Sequence, residues 1–143
     1  MRYREVIRAP LWLLALVYFF MLSLVVSLWA ALGNNVALIA LAAVTAALIW
    51  IYMSTALIIE VDDKELRVGK AHIDLGFIAE CIDLDNSAIR LVRTRDANPN
   101  AFLAIRFWAP AGIRATITDK NDSTPYWLIS SNRGSELIKA IKN

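Results

Sequence analysis

Apolar residues fill the first part of the chain with almost no interruption. No charged side chain lies between Arg8 and Glu60. Two apolar runs occupy that gap, residues 11–32 and 36–59, with Gly33-Asn34-Asn35 between them. Each is about as long as the ~20 residues a helix needs to cross the hydrocarbon core of a bilayer. Gly and Asn tolerate left-handed backbone and end helices. The pattern predicts two helices joined by a tight turn at 33–35. In lipid every backbone polar group must be paired within its own helix or in a closed barrel, and neither run alternates as barrel strands do. The first run also exceeds the roughly 7–15 residues of a secretory signal core. Ala30-Ala31, flanked by Trp29 and Leu32, makes a poor cleavage site.

Beyond residue 59 the pattern changes to short apolar runs at hairpin spacing. Alternation and β-branched content predict strands at 57–61, 65–68, 71–75, 77–84, 102–108, 113–118 and 125–130. Asp62-Asp63, Gly69-Lys70 and Pro110-Ala111-Gly112 supply turns between them. Residues 86–95 carry a narrow stripe, Ala88, Leu91 and Val92, and predict a short helix that Asp83-x-Asp85 would cap. Residues 96–100 read as a loop. The chain closes with a helix whose apolar face is Leu137, Ile138 and Ile141, with Asn132 as its expected N-cap. Glu136 early and Lys139 and Lys142 late suit the helix dipole.

The fold class expected is a membrane α-helical hairpin followed by a small mostly-β domain. About seven antiparallel strands with one C-terminal capping helix match a pleckstrin-homology-like barrel or sandwich. The expected division is a basic N-terminus at 1–10, a hairpin at 11–59 and a domain at 60–143.

Charge adds orientation. All Lys and Arg lie before the first run or after the second, and the turn has none. The positive-inside rule then makes both termini cytoplasmic in a multi-pass protein of the plasma membrane. Trp12, Tyr18, Trp29, Trp50 and Tyr52 lie at or within a couple of turns of the helix ends, where amphipathic rings are favoured. The polar residues within the runs, Ser23, Ser27, Thr45, Ser54 and Thr55, cannot ionise, which argues against a pump or transporter. Ala40, Ala42, Ala43, Ala46 and Ala47 allow close helix approach, to the first helix or to another membrane protein.

Candidate chemistry is sparse. Cys81 is the only cysteine, so neither an intrachain disulfide nor a Cys-only metal site can form, and its Ile/Leu surroundings suit a buried hydrophobe. His72 is also alone. The five glycines are scattered and build no phosphate loop or nucleophile elbow. Asp62-Asp63 and Asp83-x-Asp85 read as a turn and a cap. The expectation is no catalytic residue, no cofactor, no metal and no enzyme. A membrane-embedded enzyme of lipid or envelope metabolism would need a polar cluster from Glu60, Asp62 and Asp63, for which no signature exists.

Basic and aromatic residues carry the remaining signal. Arg90, Arg93 and Arg95 cluster, and Arg2, Arg4 and Arg8 precede the first run. A cation near an anionic leaflet contributes about 1 kcal/mol. Arg106 and Trp108 share a strand parity that would let guanidinium stack on indole. Tyr126 and Trp127 fall on opposite faces of one strand, one ring in the core and the other outside. The candidate lipid or partner contacts are Arg4, Arg8, Arg90, Arg93, Arg95, Arg106, Trp108 and Trp127. The leading expectation is an accessory or scaffold subunit that binds a membrane-protein partner. The alternative is a module that senses anionic lipid headgroups. A net charge of only +2 gives no support for nucleic acid as a partner.

Several of these residues resemble a known family. Tyr3-Arg4-Glu5 and Pro10, Glu65-Leu66-Arg67 with Gly69 and Ala71, Arg106-x-Trp108 and the run from Thr124 to Ser131 are similar to an uncharacterised family of small actinobacterial membrane proteins, DUF3093. The resemblance covers essentially the full length and departs at Asn132-Arg133-Gly134. It implies two spans and a cytoplasmic pleckstrin-homology-like domain, and it implies no activity.

Overall fold

A computed structural model describes residues 1–95 and 97–143. The chain divides into two compact units. Arg8–Ala56 form one, and Met1–Ile7 with Leu57–Asn143 form the other.

The first unit is a helical hairpin, α1 (Leu11–Leu32) and α2 (Asn34–Ser54). The link is shorter than the turn expected at 33–35. Gly33 alone makes it, at φ +89°, with its amide bonded to the Trp29 carbonyl at 3.0 Å. Asn34 and Asn35 belong to α2, and the Asn34 side chain accepts a hydrogen bond from the Trp29 indole. Inside the hairpin Tyr18 and Thr45 hydroxyls pair at 3.2 Å, so the Tyr18 ring lies against α2. The far end of α2 also differs from expectation. The helix stops at Ser54, where the Ser54 and Thr55 hydroxyls bond back to the Ile51 carbonyl. The β-branched residues that follow go into a strand instead.

The second unit holds two four-stranded sheets and two helices. In the first sheet β1 (Tyr3–Ile7), β2 (Leu57–Val61), β3 (Glu65–Val68) and β4 (Ala71–Asp74) follow in sequence order, all antiparallel. The N-terminal segment, expected as a separate basic stretch over 1–10, is thus the first strand of the β unit. Ile7 and Leu57, where the chain leaves this unit and returns, are register partners. The hairpin is an insertion between two paired strands, and the domain boundary expected at 59/60 falls at 56/57.

A single 3₁₀ turn, Leu75–Phe77, leads into the second sheet. Its strands are β5 (Ile78–Leu84), β6 (Phe102–Ala104), β7 (Gly112–Ile117) and β8 (Tyr126–Ser130), in the order β5-β7-β8-β6. The expected all-antiparallel set fails at β6, which is short and runs parallel to β8. Residues beyond Ala104 leave the strand, because the Arg106 amide bonds to Ser130 Oγ and the Ala109 amide to the Arg106 carbonyl. Gly112 is obligatory, since any Cβ there would meet the Ile129 carbonyl on the neighbouring strand.

Alternation along the strands builds two cores. Ile59, Val61, Leu66 and Val68 from the first sheet meet Cys81, Ile113, Ala115, Trp127 and Ile129 from the second. The helix α4 (Gly134–Lys142) adds Leu137 and Ile141. The opposite face of the second sheet, with Leu84 and Leu128, is covered by α3 (Asn86–Thr94) through Ile89 and Val92. Asp85 caps α3, its carboxylate accepting from the Ala88 amide at 2.8 Å. That hydrogen bond and the Ser87 hydroxyl hold the Asp85 carboxyl below the usual carboxylate range. Leu91, expected in the buried stripe, instead points outward at 48 % exposure. The expected N-cap of α4 also differs. Arg133 occupies the cap position with no side-chain cap bond, and Asn132 is held elsewhere.

Candidate functional site

The burial of Glu5 shows where Asn132 is held. The alternation of β1 turns Tyr3, Glu5 and Ile7 inward and leaves Arg4 and Val6 outside. A carboxylate so placed must be hydrogen-bonded. Glu5 is 6 % exposed and accepts three bonds: from Tyr3 Oη at 2.7 Å, from Ser131 Oγ at 2.6 Å and from the Asn132 amide at 2.9 Å. Ser131 Oγ in turn accepts from the Arg133 amide at 3.1 Å. The Arg133 guanidinium lies over the Tyr3 ring, 5.1 Å from its centroid, and donates to the Arg4 carbonyl at 3.1 Å. Burial and the Glu5 hydrogen bond push the Tyr3 phenol up to about 12.

This cluster ties the first strand to the β8–α4 connection. It contains an acid, a phenol and a hydroxyl, and both Tyr3 Oη and Ser131 Oγ donate to the Glu5 carboxylate. The arrangement is a clasp that holds β1 to the chain just before α4. The sequence reading missed it. The available signal was the shared parity of Glu5 with Tyr3 and Ile7.

The candidate contact residues fall into three groups. Trp127 is 5 % exposed and its ring packs on Phe102, with centroids 4.6 Å apart, so it is core and no surface contact. Its neighbour Tyr126 takes the other face, under the Arg114 guanidinium at 5.9 Å. Arg106 and Trp108 do not share a strand face, because β6 has ended before them. The Arg106 guanidinium donates to the Ile105 carbonyl, and Trp108 is half-buried against the main core with Phe107 edge-on to it. Arg4 pairs with Glu60 across β1 and β2 at 3.3 Å. Arg8, in the hairpin unit, sits over Tyr52 at 5.5 Å.

Arg90, Arg93 and Arg95 stay in solvent. Several basic groups at the first sheet have acidic partners instead: the terminal amine with Asp62 at 3.0 Å, Arg2 with Asp63 at 2.8 Å, and Arg67 with Glu65. The terminal ammonium, with the Asp63 amide, holds the Asp62 carboxyl below its ordinary range. Among the described residues no carboxylate reaches ion-pair distance of Arg90, Arg93 or Arg95.

Asp62, Asp63, Glu65, His72 and Asp74 line an open recess of about 540 Å³ at one end of the first sheet. No cluster among the described residues has the make-up to hold a metal ion. Cys81 is buried, and burial pushes its thiol up, away from thiolate chemistry.

A family model described as "Protein of unknown function (DUF3093)" matches residues 2–141. The chain belongs to the DUF3093 family. No curated protein and no solved structure matches it. In this DUF3093 chain several of the residues that carried the resemblance make contacts within the β unit. Tyr3, Glu5 and Ser131 meet in the clasp, Glu65 and Arg67 pair on β3, and Trp127 fills the core.

Proposed function

We propose that this protein is a non-enzymatic integral membrane protein whose hairpin spans the bilayer twice and anchors a docking domain at its cytoplasmic surface. The observation that carries the reading is the hairpin's surface. Both helices are long and apolar enough to cross a membrane, at mean hydropathy 2.5 and 2.4, and 6 % and 0 % of their most apolar windows are buried. Water would penalise that much exposed apolar area at roughly 25 cal/mol per Å². The β unit we read as pleckstrin-homology-like, on its two sheets and C-terminal helix, with β6 the departure. That likeness names no ligand.

The test is topology in intact cells. A cysteine at Asn35 should react with a membrane-impermeant thiol reagent from outside, and one at Lys70 should react only after lysis. Labelling of Lys70→Cys in unbroken cells, or release of the chain from membranes by alkaline carbonate, overturns the proposal.

A second reading, the accessory or scaffold subunit, draws on α2. Ala42, Ala43, Ala46 and Ala47 are exposed on the hairpin, where small residues let another helix approach. Its test is co-purification of a membrane protein in mild detergent, lost on replacing Ala43 and Ala47 by Leu.

A further inference from the structure

Three exposed arginines lie together along α3 and its C-terminal end. Arg90 and Arg93 are neighbours on α3 at i and i+3, and Arg95 closes its last turn. Leu91 between them is 48 % exposed. The register adds a second apolar group. Leu103 on edge strand β6 is the partner of Leu128, and Leu128 packs under α3 in one cluster with Ile89 and Val92. Leu103 therefore shares the α3 side of the sheet, and it is 56 % exposed. Ile105 also packs into that cluster, and two residues on Phe107 is 65 % exposed.

We infer that α3 and the adjoining β6 edge form a docking face for the anionic surface of the bilayer, with arginines meeting lipid phosphates and Leu91 and Leu103 entering the interface. The inference rests on the membrane-anchored reading above. Two properties choose the occupant. The three arginines are exposed and, among the described residues, have no acidic partner, which fits a phosphate-rich surface that they would neutralise. Exposed leucines beside them suit the headgroup boundary, where amphipathic helices with arginine and leucine lie. An acidic protein surface would satisfy the first property without the second. The connectors are short, with three residues between β1 and α1 and two between α2 and β2. At most ~3.6 Å per residue, neither exceeds about 11 Å.

The test uses the full chain in nanodiscs. A Leu91→Cys variant carries an environment-sensitive dye, and the parent chain, whose Cys81 is buried, controls for stray labelling. Discs of phosphatidylcholine alone are compared with discs containing phosphatidylglycerol. The dye should move to shorter wavelength only with the anionic lipid, and the shift should fade as salt shortens the Debye length. Each arginine is worth about a five-fold preference for the anionic surface, so the R90Q/R93Q/R95Q triple should lose on the order of 100-fold in occupancy. The R90K/R93K/R95K triple should retain most of it and guards against a folding defect. Equal emission in both lipids overturns the inference, as does a shift that survives the glutamine triple. A shift with soluble polyglutamate in neutral discs, absent with phosphatidylglycerol, reassigns the face to an acidic protein. Failure of the chain to enter discs at all strikes the anchoring reading instead, and is seen before any emission is recorded.

Discussion

The two units use the same residue types in opposite ways. In the β unit Leu66 is fully buried between sheets, and most charged side chains stand outside, some of them in pairs. In the hairpin Leu24 is 54 % exposed, Phe19 65 % and Trp50 71 %, and no charge occurs from Leu11 to Ser54. One unit is organised by exclusion of water. For the other, side-chain burial is not the organising force, and the proposed solvent is lipid. A hydrophobic residue therefore has no fixed energetic meaning along this chain. Its worth depends on which unit holds it, and that can be measured.

The largest effect is expected where burial is complete. Leu66→Ala should remove about 2–5 kcal/mol from the β unit, the range for leucine truncation in a packed core. Denaturant unfolding of the full chain in mild detergent, followed by the β-sheet circular dichroism band, reads it directly. A loss under about 1 kcal/mol would mean that the two units do not differ as their burial says they do.

How far the sequence revealed this contrast depended on whether a signal was local. The limits of α1 match the first apolar run because Pro10 and Gly33 bound it and nothing between them interrupts a helix. The end of α2 was hidden, since Leu57, Ile58 and Ile59 continue the apolar run while belonging to a strand by their branching. β2 and β3 were legible from alternation and a turn between them. β1 was not, because its partner lies beyond the whole inserted hairpin and five residues carry too little periodicity alone. The clasp was hidden for the same reason, as Glu5 reads as an ordinary surface acid until the parity of β1 is known. Alternation placed Tyr126 and Trp127 on opposite faces but not which faced the core, and β8 is covered on both sides. The three arginines of α3 were legible as a cluster. That no carboxylate among the described residues pairs with them required the fold.

A smaller effect should come from the clasp, which joins the strand preceding the hairpin to the last helix. Tyr3 has its phenol raised from 10.0 to about 12 in the folded chain. Its neutral form is therefore favoured by folding. That stabilisation is complete below pH 10, because both states then hold the proton. As pH rises from 10 to 12 the unfolded phenol ionises first, and stability falls by on the order of 2 kcal/mol. Tyr3→Phe should flatten this part of the pH–stability curve while lowering the curve at neutral pH, where its hydrogen bond to Glu5 is lost. Parallel alkaline slopes in both chains would show that Tyr3 is not held as the geometry requires.

The smallest effect is the most decisive for the contrast. Leu24→Ala is the same chemical deletion as Leu66→Ala, made on a side chain that faces outward from α1. Lipid tails are as apolar as leucine, so the truncated site exchanges side-chain contacts for tail contacts and leaves no cavity. The expected cost is about 0.5 kcal/mol or less, within the range of ordinary surface substitutions. Leu24→Arg should reverse the order, costing roughly 2.5–3.5 kcal/mol of insertion free energy near the middle of the span. Glycosylation-mapped insertion of the hairpin reads that number, and it separates lipid from water as the solvent. Water around α1 would leave the arginine nearly neutral. A partner helix packed against this face would make Leu24→Ala as costly as the core truncation. Only lipid at Leu24 makes the alanine cheap and the arginine dear.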